Sequence, residues 1–171
     1  MIEIRRLEGA ELRERLDDLA AVLVDCVEGG ASVSYMAGLS PAEARAVFAG
    51  YAVEVDAGRR LLLAALADGA VVGTVQVVFA QQPNQPHRGE IAKLLVHRTA
   101  RGRGIAKELM RRAEDEARAE GKTLLVLDTV TGDPAYRLYE QLGWTRVGDV
   151  PDYALYPDGR FCATTFFYKR V

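Results

Sequence analysis

The centre of the chain combines glycines and arginines directly after an apolar run. The segment 94–106 reads Leu-Leu-Val-His-Arg-Thr-Ala-Arg-Gly-Arg-Gly-Ile-Ala, and an amphipathic helical pattern follows it. A helix N-terminus offers free backbone N–H groups and a partial positive charge, and both favour phosphate oxygens. Gly102 and Gly104 would let the backbone approach an anion closely, while Arg101 and Arg103 can add bidentate contacts. These residues predict a binding site for a phosphate-bearing ligand.

Two familiar phosphate-binding motifs are excluded at this position. No Lys-Ser/Thr pair follows the glycines, so the segment is not a Walker-type loop. The dinucleotide fingerprint G-x-G-x-x-G is also incomplete, because Lys107 stands where its third glycine belongs. The remaining alternative to a phosphate site is an ordinary strand-to-helix turn with solvated arginines.

The first part of the chain has the periodicity of two helices behind a short strand. Residues 2–7 predict a strand, and apolar residues at helical spacing from Leu12 to Val27 predict a helix that ends at Gly29 and Gly30. Ser40-Pro41-Ala42-Glu43 predicts the start of a second helix, because serine can cap it, proline fits its first turn and glutamate completes a capping box.

Strand patterns dominate the rest of the chain. Residues 61–67 and 71–79 predict a hairpin turned at Asp68-Gly69, and a polar loop at 81–88 leads to a third strand at 90–97. The pattern continues with a helix that ends near Gly121, a strand expected to be buried on both faces, a helix and two last strands. Their ranges are 105–121 for the first helix, 124–128 for the buried strand, 133–142 for the second helix, and two strands that flank the turn at 157–159.

This order of elements predicts the fold class. The strand–helix–strand unit at 90–128 requires a parallel pair, whereas the hairpins require antiparallel pairs. We therefore expect a mixed α/β fold, with a mostly antiparallel sheet, a central parallel pair and flanking helices. The chain has no repeat, linker or low-complexity segment, so residues 1–171 are predicted to form a single domain.

Composition and charge exclude several classes of function. The net charge is −2 and the pI about 5.8, so no nucleic-acid partner bound by bulk electrostatics is expected. Cys26 and Cys162 lack the spacing of a disulfide framework or a zinc site, so free thiols and no metal are expected. Residues 1–6 lack an apolar signal core, and no apolar run is long enough to span a membrane. A cytoplasmic protein without a membrane partner is the expectation.

Two signatures make the sequence resemble the GNAT superfamily of N-acetyltransferases. Arg101-x-x-Gly104-x-Ala106 after an apolar strand matches its pyrophosphate-binding motif, and a helix ending in Leu-Tyr-x-x-x-Gly-aromatic matches its second motif. The second motif is carried by Ala135, Leu138, Tyr139, Gly143 and Trp144. The segments 83–88, 93–98 and 151–155 are further similar to the tabtoxin-resistance acetyltransferases, which inactivate a β-lactam amino-acid toxin.

The resemblance implies acetyl-CoA as cosubstrate, with its pantetheine arm between two splayed parallel strands. The residues it assigns to this ligand are Leu94, Leu95, Val96, Arg101, Gly102, Arg103, Gly104, Ile105 and Ala106. Near Leu94, a backbone N–H would stabilise the oxyanion. The family asparagine seven residues before the motif tyrosine is absent here, because that position is Gly132. Thr131 or Asp133 could replace its contact.

The resemblance to this family makes three side chains candidates for acid–base chemistry. Glu90 occupies the position where histone-type members carry a general base, although a surface salt bridge is the alternative. Asp128 could hold the ammonium group of the acceptor or share the base role, or it could simply cap a turn. Tyr139 could protonate the departing thiolate, or it could be a core tyrosine.

The acceptor site is expected at the loops and the C-terminal strands. Its predicted residues are Tyr35, Asn84, Arg88, Asp152 and Tyr153, with Ser34 and Gln85 as polar neighbours; Arg88 is the predicted partner of a carboxylate. The expected acceptor is a small-molecule amine, such as an amino-acid-like toxin or antibiotic. Acetylation of a peptide or ribosomal-protein N-terminus and a non-catalytic acyl-CoA-binding sensor are the alternatives. The C-terminal strands could pair across a homodimer.

Overall fold

The computed structural model describes residues 2–171, so Met1 lies outside the described part of the chain. Its strands are β1 (Ile2–Arg6), β2 (Arg60–Ala67), β3 (Ala70–Phe79), β4 (Arg88–Val96), β5 (Leu124–Val130), β6 (Thr145–Leu155) and β7 (Phe161–Arg170). Its helices are α1 (Gly9–Glu14), α2 (Leu16–Glu28), α3 (Pro41–Asp56), α4 (Ile105–Ala119) and α5 (Pro134–Gln141). No helix within residues 2–171 is both long and apolar enough to cross a membrane.

All seven strands form one mixed sheet in the order β1-β2-β3-β4-β5-β7-β6. Every neighbouring pair is antiparallel except β4 and β5, which are parallel. Helix α4 connects these two strands along the chain. The predicted fold class, a mostly antiparallel sheet with a central parallel pair and flanking helices, is therefore confirmed.

The sheet separates two apolar cores. One core lies between the sheet and α4 with α5, and Leu109, Met110 and Phe167 are among its fully buried residues. The other lies between the sheet and α1–α3, and its buried members include Leu19 and Phe48. We call these the α4 face and the α2 face of the sheet.

The N-terminal helices confirm one prediction and modify another. Ser40 caps α3 through its hydroxyl, which accepts a hydrogen bond from the N–H of Glu43 at 3.2 Å, and the Glu43 carboxylate accepts the N–H of Ser40 at 2.8 Å. The single helix predicted up to Val27 is instead two helices that meet at Arg15. There the backbone leaves helical geometry, and the guanidinium donates to the carbonyl of Gly69 at 3.0 Å.

The prediction that residues 124–128 are buried on both faces was wrong. Leu125 and Leu127 are buried in the α4 core, but Asp128 on the opposite face is exposed. On the α2 face, the strand instead ends at the cleft described below, which Asp128 lines. The apolar run therefore belongs to a strand with one face in the α4 core, whereas its other face is only partly buried and reaches the exposed Asp128.

A buried carboxylate holds the C-terminal half of the chain together. Glu114 on α4 accepts a hydrogen bond from the indole N–H of Trp144 at 2.9 Å and pairs with the ammonium of Lys169 at 2.7 Å. Lys169 also donates to the carbonyl of Leu142, just after α5, at 2.7 Å. This Glu114 cluster ties α4, α5 and β7 to one another, and thereby fixes the helix that carries Tyr139.

Gly73 provides a test of how closely α4 packs on the sheet. A Cβ at this position would lie 3.0 Å from the carbonyl oxygen of Leu95 and 3.4 Å from side chains of Ile105 and Leu109. We expect Gly73→Ala to lower the free energy of unfolding by about 1–3 kcal/mol, because the obstacle is backbone that cannot move aside. Urea denaturation measures the change.

The matched control is Gly50→Ala in the middle of α3. Position 50 is exposed and has open space around a new Cβ, so the better helix propensity of alanine should raise the free energy of unfolding by about 0.5–1 kcal/mol. If both substitutions stabilise the protein, the close packing inferred at Gly73 is wrong.

Candidate active site

The candidate site lies where the two parallel strands part. β4 and β5 are paired at only three positions, and the last of them joins Glu90 to Val126. Both strands continue beyond this point without pairing to each other, so a cleft with a volume of about 770 Å³ opens between them. Strand backbone without a neighbouring strand presents free N–H and C=O groups to whatever fills the gap.

A β-bulge shapes the wall of the cleft that β4 forms. Lys93 and Leu94 together oppose Val75, and Lys93 has a left-handed backbone with φ of +50°. A bulge exchanges the faces toward which the following side chains point. Ile91 accordingly packs in the α4 core, whereas Leu95 packs in the α2 core.

The glycine-rich turn leads into a helix N-terminus that no side chain caps, which suits an anion site. Gly102 and Gly104 both have left-handed backbones, with φ of +75° and +77°, and Gly104 caps α4 without a side-chain hydrogen bond. Arg101 donates from Nε to the carbonyl of Val96 at 3.0 Å, which fixes its guanidinium at the rim of the cleft. The first N–H groups of α4 therefore remain available for a ligand.

A carboxylate from α2 anchors the start of this turn. Asp25 is almost fully buried and accepts hydrogen bonds from the backbone N–H and the Nε of Arg98, both at 2.8 Å. The Nε2 of His97 lies 3.4 Å from the same carboxylate. Burial alone would raise the pKa of Asp25, but the bonds from Arg98 and the nearby His97 lower it overall. Asp25 therefore remains a carboxylate and holds the turn against α2.

Tyr139 reaches the cleft from α5. Its ring is packed near Trp144 and Phe167, with centroids 6.1 and 5.9 Å away, and only 5% of the residue is exposed. Its hydroxyl has no hydrogen-bond partner among residues 2–171. Burial raises the pKa of this hydroxyl strongly, and the carboxylates of Asp133 and Asp128 raise it further. The group is therefore a protonated phenol at neutral pH.

Two carboxylates lie on the α2 face of the sheet, one on each parted strand. Asp128 on β5 lies 2.9 Å from the hydroxyl of Thr164, which donates to it and fixes its orientation. Glu90 on β4 is exposed and has no ion pair or hydrogen bond from a side chain within the described chain. Both line the cleft, so the site combines two carboxylates with one protonated phenol.

The residues around the missing family asparagine also line the cleft. Gly132 has a left-handed backbone, φ +79°, which glycine adopts without strain. Thr131 lies 2.9 Å from the hydroxyl of Thr165, and burial raises the pKa of the Asp133 carboxyl although the charge of Arg101 opposes this shift.

The structure gathers most, but not all, of the residues predicted from sequence around one cleft. The predicted residues that line it are Glu90, Leu94, Leu95, Val96, Arg101, Ala106, Asp128, Thr131, Asp133 and Tyr139. Gly102, Arg103 and Gly104 are exposed in the turn at its rim, and the side chain of Ile105 is buried in the α4 core.

The five residues predicted for the acceptor all lie outside the cleft lining. Arg88 donates to the side chain of Gln85 at 2.7 Å, next to the exposed Asn84. Tyr153 lies on β6 next to Asp152, and its ring packs edge-on against the ring of Phe166 on β7. Their roles stay predictions.

Tyr35 is closer to the cleft. Its hydroxyl lies 3.4 Å from that of Tyr51, and its ring lies 5.4 Å from the Nζ of Lys93, which lines the cleft.

Sequence reasoning missed three residues that build the site. Lys93 lines the cleft, Asp25 anchors the glycine-rich turn and Thr164 orients Asp128. Only Lys93 left a signal in the sequence, because it is a charged residue between the apolar residues 91–92 and 94–96. Asp25 and Thr164 contact residues more than 30 positions away, which a sequence pattern does not reveal.

Comparisons with known proteins agree with this geometry. The model of the acetyltransferase (GNAT) family matches residues 31–144, about two thirds of the chain. The zebrafish (Danio rerio) N-acetylaspartate synthetase is 38% identical over 92 residues, which are 53% of this chain and 32% of that protein. The chain spans between about a third and three fifths of the length of the curated relatives it matches.

Solved structures share the fold across nearly the whole chain. An N-acetyltransferase from Staphylococcus aureus Mu50 has a TM-score of 0.83 at 20% identity and covers 99% of this chain and 98% of its own. A phosphinothricin acetyltransferase from Sinorhizobium meliloti, in complex with acetyl-CoA, has a TM-score of 0.80 at 21% identity. The match covers 99% of this chain and 88% of that one. The extent of the family match and the agreement in fold lead to one conclusion: the chain belongs to the GNAT acetyltransferase family.

Proposed function

We propose that the protein transfers the acetyl group of acetyl-CoA to a primary amine of a small molecule. The observation that carries this proposal is the cleft between β4 and β5, which joins an uncapped, glycine-rich helix N-terminus to two carboxylates and a buried phenol. An anion site and acid–base groups within one cleft are what acetyl transfer from a phosphate-bearing thioester requires.

The residues present fit acetyl-CoA. The pyrophosphate would lie at the N–H groups of residues 102–106 with Arg101 beside it, and the pantetheine arm would lie along the part of β4 from Leu94 to Val96 that does not pair with β5. When bound, acetyl-CoA supplies an activated thioester whose acyl carbon an amine can attack. Thr131 and Asp133 are in reach of the same cleft.

The acid–base groups divide two tasks between them. An ammonium group must lose a proton before it can attack, and Glu90, which has no competing side-chain partner, would accept this proton directly or through a water. Asp128, held by Thr164, would orient the ammonium group. Tyr139, whose phenol is protonated and lines the cleft, would donate its proton to the departing thiolate.

An amino-acid-like acceptor is the substrate class we propose. Among the proteins similar to this chain, one is named an N-acetylaspartate synthetase and another a phosphinothricin acetyltransferase. Both names indicate an amino-acid-like acceptor. The resemblance to tabtoxin-resistance enzymes favours a toxin or antibiotic of this class.

The first experiment incubates the protein with acetyl-CoA and measures thiol release. The acceptor panel consists of the L-amino acids, L-phosphinothricin and short peptides. Release with a small acceptor supports the proposal, and release with peptides alone would indicate the N-terminal acetyltransferase instead. If acetyl-CoA binds without any turnover, the result favours a sensor, and absence of binding contradicts the proposal altogether.

A glycine substitution tests the anion site. In Gly104→Ala the left-handed cap acquires a strained Cβ and shifts the N–H groups that hold the pyrophosphate. Because a hydrogen bond to a charged group contributes about 1.5–3 kcal/mol, we expect the Kd of acetyl-CoA, measured by calorimetry, to rise about 10- to 100-fold.

Gly121→Ala is the matched control at the other end of α4. Gly121 has almost the same backbone, φ +73°, and the same open surroundings, so the strain is equal but lies far from the turn. Equal Kd values for the two variants would mean that the turn does not hold the ligand.

Glu90→Gln tests the general base. We expect kcat/KM at neutral pH to fall about 10²- to 10⁴-fold, because the amide cannot accept the proton of the ammonium group. The deficit should shrink as pH rises toward the pKa of the acceptor amine, since free amine then needs no base. A deficit that is constant with pH would contradict the assignment, and the exposed Glu14→Gln on α1 is the control.

Tyr139→Phe tests the general acid while it keeps the packed ring. We expect kcat to fall at least about tenfold with an unchanged Kd for acetyl-CoA, because only a proton donor is lost. Tyr136→Phe is the control, since this tyrosine lies on the same helix and packs against Phe167 without lining the cleft. An unchanged kcat in Tyr139→Phe would remove this residue from the mechanism.

A further inference from the structure

Lys93 is a cation at the bulge that the steps above do not use. Its Nζ donates to the carbonyl of Val33 at 2.9 Å and lies 2.8 Å from the hydroxyl of Ser34. Both acceptors belong to the loop between α2 and α3, and both line the cleft together with Lys93. An ammonium group has three N–H donors, so one remains for a further partner.

No carboxylate within the described chain forms an ion pair with this ammonium group. Among residues 2–171, no Asp or Glu oxygen lies within 4 Å of Nζ, in contrast to the half-buried Lys169, which pairs with Glu114. Burial lowers the pKa of Lys93 and so does the charge of Arg60, whereas Asp128 and Glu90 act in the opposite direction. A partly buried, unpaired ammonium is costly, and a bound anion would offset this cost.

The cleft thus has two poles of opposite charge. Lys93, held by the α2–α3 loop, is the positive pole, and Glu90 with Asp128 forms the negative one. An α-amino acid carries complementary charges on neighbouring atoms, a carboxylate and an ammonium group, and its amine must lie at the carboxylates in order to be deprotonated. Arg88, the carboxylate partner predicted from sequence, donates instead to Gln85.

We propose that Lys93 is a specificity-determining residue that binds the carboxylate of an α-amino-acid acceptor, while Asp128 holds its ammonium group. This inference rests on the proposed function, and it narrows the acceptor from primary amines in general to those with an adjacent carboxylate. Because Lys93 also fastens the α2–α3 loop to β4, a purely structural role must be distinguished from recognition of the carboxylate.

The experiment compares an acid with its amide. The L-amino acid that wild-type protein acetylates with the highest kcat/KM is measured beside its own α-carboxamide, in wild type, Lys93→Met and Lys122→Met. Lys122 is the matched control, because it too donates to a backbone carbonyl, that of Pro86 at 2.8 Å, and lies over an aromatic ring, that of Phe79, outside the cleft.

We expect Lys93→Met to lower kcat/KM for the amino acid about 10- to 100-fold, mainly through KM, because a charge-assisted contact is lost. The carboxamide should change less than about threefold, since it lacks the negative charge, and Lys122→Met should resemble wild type. For each variant, kcat/KM of the acid is divided by kcat/KM of the amide. Comparing this ratio between variants cancels the different basicity of the two amines.

Three other results overturn the inference. If Lys93→Met lowers kcat/KM equally for acid and amide, Lys93 only holds the loop in place. If Lys93→Met leaves kcat/KM unchanged for both the acid and the amide, Lys93 does not bind the acceptor, although acetyl transfer itself stands. Absence of turnover with every amine tested, by contrast, overturns the proposed function, and this inference with it.

Discussion

The structure depends on one interruption of hydrogen bonding, at the point where β4 and β5 separate after three paired positions. Backbone N–H and C=O groups away from water need partners, so an open seam in the middle of a sheet is stable only when water or a ligand occupies it. The bulge at Lys93 and Leu94 lies on this seam and twists β4 away from its neighbour. The separation creates the cleft, and the remaining elements hold its two sides apart in a fixed geometry.

Each side of the seam has its own buried carboxylate as an anchor. Asp25 fastens the glycine-rich turn at the end of β4 to α2 through Arg98. Glu114 fastens α5, and with it Tyr139, to α4 and β7 through Trp144 and Lys169. Buried charges of this kind contribute little net stability, but they have one satisfied arrangement, which suits groups that must be positioned precisely. The two anchors lie on opposite faces of the sheet.

Local patterns predicted the parts of the fold that local interactions determine. The capping box at Ser40 and Glu43 and the glycines at 102 and 104 were readable because their partners lie within a few residues. The burial of β5 was misread, because a strand with one face in a core and its end at a cleft has the same apolar run as a strand that is buried on both faces. Asp25, Thr164 and the orientation of Lys93 depend on contacts between distant segments or on a bulge, and neither has a periodicity that a single sequence displays.

The sheet that divides the two apolar cores has a consequence for how such a protein diversifies. The turn at Gly104 and helices α4 and α5 pack on one core, whereas the loop that contacts Lys93 emerges from helices that pack on the other. Mutations more than about 7–10 Å apart without shared partners have nearly additive effects on stability. Substitutions beneath α3 can therefore accumulate with little effect on the stability of the α4 face, whereas α2 is tied to the glycine-rich turn through Asp25 and is constrained with it.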